Sequence, residues 1–207
     1  MSDRLLDEVE RVFARRANPT PHWPDPHPDR RVTDEEYSRC LVPTKYRIVA
    51  ERADAWIAVL TASGLATAEE IDPRSLSSSE PWLRITRLRP TAPGAIPLLL
   101  ARRGFEGVDD NLVCVAAGDP PVRLTTAPDC GCDACDSGSQ DLIDMLDDAV
   151  RTVLAGGVLH VVHNGRKVTR KLDGWSATGS LSQREIAAWL AGDVPPGAAV
   201  TAGTPWR

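Results

Sequence analysis

No apolar stretch in this 207-residue chain approaches the roughly 20 residues needed to cross a bilayer; the longest, such as IPLLLA, stop far short. The first sixteen residues, MSDRLLDEVERVFARR, interleave charged and apolar side chains, with neither an unbroken apolar core nor a small-residue cleavage site, so no secretory signal is read and a cytoplasmic location is expected. An excess of positive charge is missing too. Lys and Arg number 24 against 29 Asp and Glu, a net charge of −5, which argues against a general affinity for nucleic acid or anionic membranes. Cysteine is sparse and odd in number, five in all, and in a reducing compartment that does not read as a disulfide framework. GxGxxG, Walker, GxSxG and HExxH patterns are absent, so no cofactor-binding or hydrolytic motif supports an enzyme, and that question stays open.

What is present is ordinary globular composition, 42% hydrophobic and 26% charged, in a chain long enough to bury about 70% of its unfolded surface without a metal or disulfide. A single domain is expected, helical over residues 1–65 and sheet-rich over 66–207. Leu5, Leu6, Val9, Val12 and Phe13 recur at helical spacing and predict an amphipathic helix over 2–16. Prolines at 19, 21, 24, 26 and 28 then force an extended wrap. Tyr46, Val49, Ala53, Trp56, Ile57 and Leu60 predict a central helix within Pro43–Leu65, closed by Gly64.

Beyond it, short apolar runs predict strands near 82–89, 95–102, 111–116 and 121–126, with a loop over 73–81. A helix follows over 139–155, with Ser137 and Gln140 spaced as a capping box; Asn164-Gly165 predicts a tight hairpin turn; and a short helix over 182–191 carries its own box, Ser182 and Glu185. The tail after Gly192 reads as irregular. The sum is an α+β fold, a mainly antiparallel mixed sheet packed by about four helices.

Chemistry concentrates in PDCGCDACDSGSQ. Cys130, Cys132 and Cys135 fall within six residues, Gly131 permits a backbone bend between the first two, and three thiolates on one loop can form three corners of a tetrahedron. Residues 111–150 carry eight Asp and one Arg, with Asp129, Asp133 and Asp136 interleaved among the cysteines. Such carboxylates disfavour a free thiolate, opposing nucleophilic or redox use, whereas a divalent cation deprotonates the thiols and is drawn by the same field. Zn²⁺ is the cofactor this pattern favours, ahead of unliganded packing cysteines and thiol redox chemistry.

The fourth ligand is not set by spacing. His160 and His163, three apart on one strand, point to opposite faces and cannot both serve one site. His27, in the stiff proline-rich wrap beside Asp25, is the preferred candidate, with packing against Trp23 as its plain alternative. Cys40 and Cys114 also remain, the latter reading as a small core residue. Arg166, Lys167, Arg170 and Lys171 form a basic hairpin edge, read as protection against edge pairing rather than an RNA surface. LSQREIAAWLAG opens like a helix-turn-helix, but Pro195-Pro196-Gly197 forbids the recognition helix. The tryptophans read as packing residues.

With WPDPHPDR, EYSR, KYRIVAERADAW, PDCGCDACDSGS and GWSATG in view, the chain resembles an uncharacterised actinobacterial family known only as a domain of unknown function. The likeness spans nearly the whole length, and PDCGCDACDSGS is its most specific part. It implies a bacterial intracellular protein and supplies no activity. The expectation is a non-enzymatic interaction or regulatory module with a structural Zn site, binding an unidentified protein or small molecule; the alternative is a metal- or thiol-dependent enzyme using the same cluster.

Overall fold

The computed structural model describes residues 2–75, 82–171 and 174–207. Among the described residues four α-helices, α1 (Ser2–Ala14), α2 (Ile48–Ala62), α3 (Ser139–Leu154) and α4 (Gln183–Leu190), accompany nine strands. Five strands form an antiparallel meander in chain order: β1 (Ala66–Ile71), β2 (Arg84–Pro90), β3 (Leu98–Phe105), β4 (Val108–Ala117) and β5 (Val122–Ala127). The other four, β6 (Leu159–His163), β7 (Arg166–Lys171), β8 (Gly174–Thr178) and β9 (Ala199–Ala202), form a second antiparallel sheet in the order β8-β7-β6-β9. The α+β expectation holds, with the strands divided between two sheets.

The apolar run on β3 explains why the meander is covered on both faces. Leu98 and Leu100 join the main core with Val113, Val115 and Ala117 of β4, while Leu99 and Ala101 pack with Ile85, Cys114 and Ala116 on the opposite face. Helices α1, α2 and α3 bury Val9, Phe13, Trp56, Leu60, Leu146 and Val150 against the first of these faces. Helix α2 is apolar nearly all round, as a central helix must be. Its one buried charge, Arg52, is fully inaccessible and bonds Asp147 of α3 (2.5 Å) and Glu10 of α1 (2.6 Å), while Trp56 Nε1 donates to the same Asp147 carboxylate (2.6 Å). One guanidinium thereby ties three helices together.

Several expectations change. Ser137 does not cap α3. Gly138 is the N-cap, at φ +96°, and a side chain there would meet the backbone of Trp23, Pro24 and Asp25. The Pro43–Leu65 helix begins as a 3-10 turn over Pro43–Arg47. β1, β8 and β9 lie where no strand was expected, the last inside the tail, whose Trp206 is fully buried and donates its amide to Leu154 O (3.0 Å) and its indole N–H to Ile96 O (3.2 Å). The Asn164-Gly165 turn is as expected, both residues at positive φ (49° and 75°). Most of the loop expected over 73–81 lies outside the described residues.

The basic strand β7 is not an edge. It lies between β6 and β8, and α4 engages its charges: Arg166 pairs with Glu185 (2.7 Å) and stacks over Trp189, and Arg170 donates to Leu190 O (3.2 Å).

Candidate metal centre

The loop from Pro128 to Gly138 joins β5 to α3. Asp129 accepts the Cys130 amide (2.8 Å), and a 3-10 turn over Asp133–Cys135 returns the Cys135 amide to Cys132 O (3.2 Å). These local bonds swing the three thiols inward. Cys130 and Cys132 Sγ stand 3.3 Å apart, and all three sulfurs lie within 4.8 Å of one another. A tetrahedral ion with bonds of about 2.3 Å to sulfur asks for S···S edges of about 3.8 Å, within that span. All five cysteines are free of disulfides.

The sulfurs interact as thiols. Burial pushes Cys132 up, but S–H donors from Cys130 and Cys135 and the Cys135 and Ala134 amides outweigh it and leave it below the ordinary thiol value. Cys135 is pushed up to about 12, chiefly by its hydrogen bond to Cys132 and then by burial. One sulfur thus gives up its proton more readily than its neighbour, and a shared cation would favour the deprotonated form of both.

Two of the interleaved aspartates serve as anchors rather than as a free negative field. Asp133 accepts the Leu41 amide at Oδ1 (3.1 Å) and Arg39 Nε at Oδ2 (3.0 Å), while its own amide donates to Arg39 O (2.9 Å). Asp136, buried, accepts Lys45 Nζ (2.5 Å), Trp23 Nε1 (2.9 Å) and the Gly138 amide (3.0 Å). Burial raises that carboxyl, and Lys45, Trp23 and Gly138 more than reverse the effect, leaving it below the usual carboxylate range. Beneath the loop lies an aromatic floor. Tyr46 packs against Trp23 (5.8 Å between centroids) and Phe105 (5.6 Å), and Lys45 Nζ lies 5.0 Å from the Tyr46 centroid. Gly131 is needed for contact rather than for a bend, since a Cβ there would come within 2.2 Å of the Phe105 ring.

Of the residues expected at the site, Cys130, Cys132 and Cys135 come together and His27 stands to one side. Its Nδ1 lies 3.2 Å from Asp136 O and its Nε2 3.2 Å from Glu36 Oε1, so both ring nitrogens are engaged. Asp25 accepts the His27 backbone amide (2.7 Å). His160 bonds Thr169 Oγ1 (2.8 Å), His163 packs edge-on against Trp189, and Cys114 is buried in the meander. Cys40 is half-buried next to Arg39 and Leu41, its thiol raised by burial and then by Asp133. Tyr46 reads from sequence only as a helix core position, and Lys45, Arg39 and Phe105 do not read as site residues, because long-range packing alone brings them to the loop.

A cavity of about 240 Å³ opens beside the sulfurs, lined by Cys130, Cys135, Tyr46, Asp129, Asp141 and Asp144 among others. No helix among the described residues is long and apolar enough to span a membrane.

Fold and loop together define an α+β protein with a three-cysteine cluster able to hold a metal ion. A family model described as a family of unknown function (DUF6226) matches residues 9–206, and the chain belongs to that family. No curated protein and no solved structure matches it.

Proposed function

We propose that this chain is a non-enzymatic interaction or regulatory module of the cytoplasm whose 128–138 loop is set by one Zn²⁺ held by the Cys130, Cys132 and Cys135 thiolates. The convergence of three sulfurs on one short turn carries this reading, because three thiols within one ion's reach match three corners of a tetrahedral site. The ion would stiffen the loop that Asp133 and Asp136 already fasten to Arg39, Leu41, Trp23 and Lys45. In this reading His27 positions the Asp136 carbonyl and Glu36 rather than ligating. A reducing compartment suits the chemistry, since it keeps the thiols available.

A second reading, a metal-dependent enzyme, is favoured by one observation: the sulfur cluster borders a cavity rather than closed packing. Elemental analysis of purified protein, paired with thiol titration of the native state, tests the shared premise. About one zinc per chain, with the three cysteines protected from alkylation until a chelator is added, is expected. Absence of stoichiometric metal, with native thiols fully reactive, overturns it.

A further inference from the structure

Tyr46 is the second feature of this site that calls for a ligand. Its ring is 1% exposed, its hydroxyl is buried without a hydrogen-bond partner among the described residues, and it lines the same cavity as Cys130 and Cys135. A buried hydroxyl left unpaired costs on the order of 1–3 kcal/mol, and its neighbours Trp23 and Phe105 offer it ring surfaces rather than acceptors. Its persistence points to something that enters the cavity.

Charge says what kind of group that is. Three thiolates around a divalent cation carry one net negative charge. Asp136 is neutralised by Lys45, but Asp129, Asp141 and Asp144 add carboxylates to the wall, and Asp144 is held there by Gln140 Nε2 (2.8 Å). An anion approaching this metal meets repulsion from all of them. A neutral nitrogen base meets none, can complete the tetrahedron with its lone pair, and, in the imidazole class, has one N–H left to donate to the Tyr46 oxygen.

We propose that the fourth coordination position opens into the Tyr46 cavity and takes an exchangeable neutral nitrogen donor of the imidazole class, with the Tyr46 hydroxyl hydrogen-bonding the bound molecule. The exchange is balanced: the base displaces one water from the ion, with no change of oxidation state. This inference rests on the three-cysteine metal reading and adds the position, the class of ligand and the residue that recognises it.

The test uses the full chain loaded with Co²⁺, whose thiolate charge-transfer and ligand-field bands report the metal and its fourth ligand separately. One equivalent of Co²⁺ producing the thiolate band, then a saturable change of the ligand-field bands with imidazole and none with azide at the same concentrations, is expected. Tyr46→Phe removes only the unpaired hydroxyl, so it should keep the fold and the Co²⁺ stoichiometry while weakening imidazole about five- to tenfold, the worth of one hydrogen bond. Asp141→Asn, at an exposed position, should narrow the gap between imidazole and azide.

No thiolate band overturns the metal reading and this inference with it. A thiolate band whose ligand-field region ignores imidazole, or responds equally to azide, overturns this inference alone. So does a Tyr46→Phe protein that binds imidazole as tightly as the parent.

Discussion

Trp23 and Ser139, 116 residues apart, are joined by three hydrogen bonds: the Trp23 amide donates to Ser139 Oγ (3.2 Å), and Trp23 O accepts both the Ser139 amide (3.0 Å) and its hydroxyl (3.1 Å). The proline-rich wrap therefore caps α3, which explains how five prolines help the fold. Their nitrogens need no acceptors, and between them Trp23 turns both its amide and its carbonyl to the helix end while the Thr20 amide reaches Glu51 of α2. Ser139→Ala should lower unfolding stability by about 1–2 kcal/mol, the cost of leaving the Trp23 amide without its acceptor. The urea midpoint checks this; an unchanged midpoint contradicts it.

Asp133 holds the cysteine turn from behind without touching the sulfurs. Asp133→Ala should leave global stability within about 1 kcal/mol, since its partner Arg39 is half-exposed, yet weaken metal binding roughly tenfold by releasing the turn. Competition for Zn²⁺ against a chromophoric chelator measures the second quantity and thermal melting the first.

Gly131→Ala places a methyl group against the Phe105 ring. The loop must lift, so the variant should stay folded, because the loop lies outside the main core, and lose metal affinity by at least the Asp133→Ala amount. Retained far-UV circular dichroism with unchanged Zn²⁺ affinity would show that the Phe105 contact does not matter.

Asp147→Ala removes a partner of a guanidinium that has no access to water. Glu10 remains, half-exposed, and compensates in part. A destabilisation of about 3 kcal/mol is expected, toward the low end for breaking a buried ion pair. Arg52→Met leaves the buried Asp147 carboxylate with the Trp56 N–H but no counter-charge, so it should cost at least as much. A smaller loss for Arg52→Met than for Asp147→Ala would contradict this account.

Acid should loosen α4. The Ser182 amide first, then the Ser182 hydroxyl and Arg166, hold the Glu185 carboxyl at about 2, below its ordinary 4.5. Because the folded value is the lower one, the contribution is present in full above pH 4.5 and disappears as pH falls toward 2. Glu185→Gln preserves the box geometry but removes this pH dependence. Amide resonances of residues 183–190, followed through that range in both proteins, provide the measurement.

Legibility followed the range of the forces involved. Helices α1, α2, α3 and α4 and the β6–β7 turn were readable because apolar period and turn chemistry are local. Strands β1, β8 and β9 were not. β8 is exposed along its length, and β9 is four residues whose ladder bonds come from β6, 37 to 43 positions away in the register Leu159↔Ala202 to Val162↔Ala199. At the site, the Cys130-Cys132-Cys135 spacing was visible, yet the assignment of Asp133 and Asp136 as a free field was wrong, because Arg39 and Lys45 lie about 90 residues away in sequence. Tyr46 looked like any core position on a helix face. Only its hydroxyl, left without a partner, sets it apart.

The Trp23 indole also gives the molecule an intrinsic fluorescent gauge. Its N–H rests on the carboxylate of Asp136, the residue directly after Cys135, whereas the Trp56 and Trp206 indoles donate to Asp147 and Ile96 deep in the core. Emission from this one ring should shift as the turn tightens or slackens, so occupancy of the sulfur cluster can be followed optically without any attached dye.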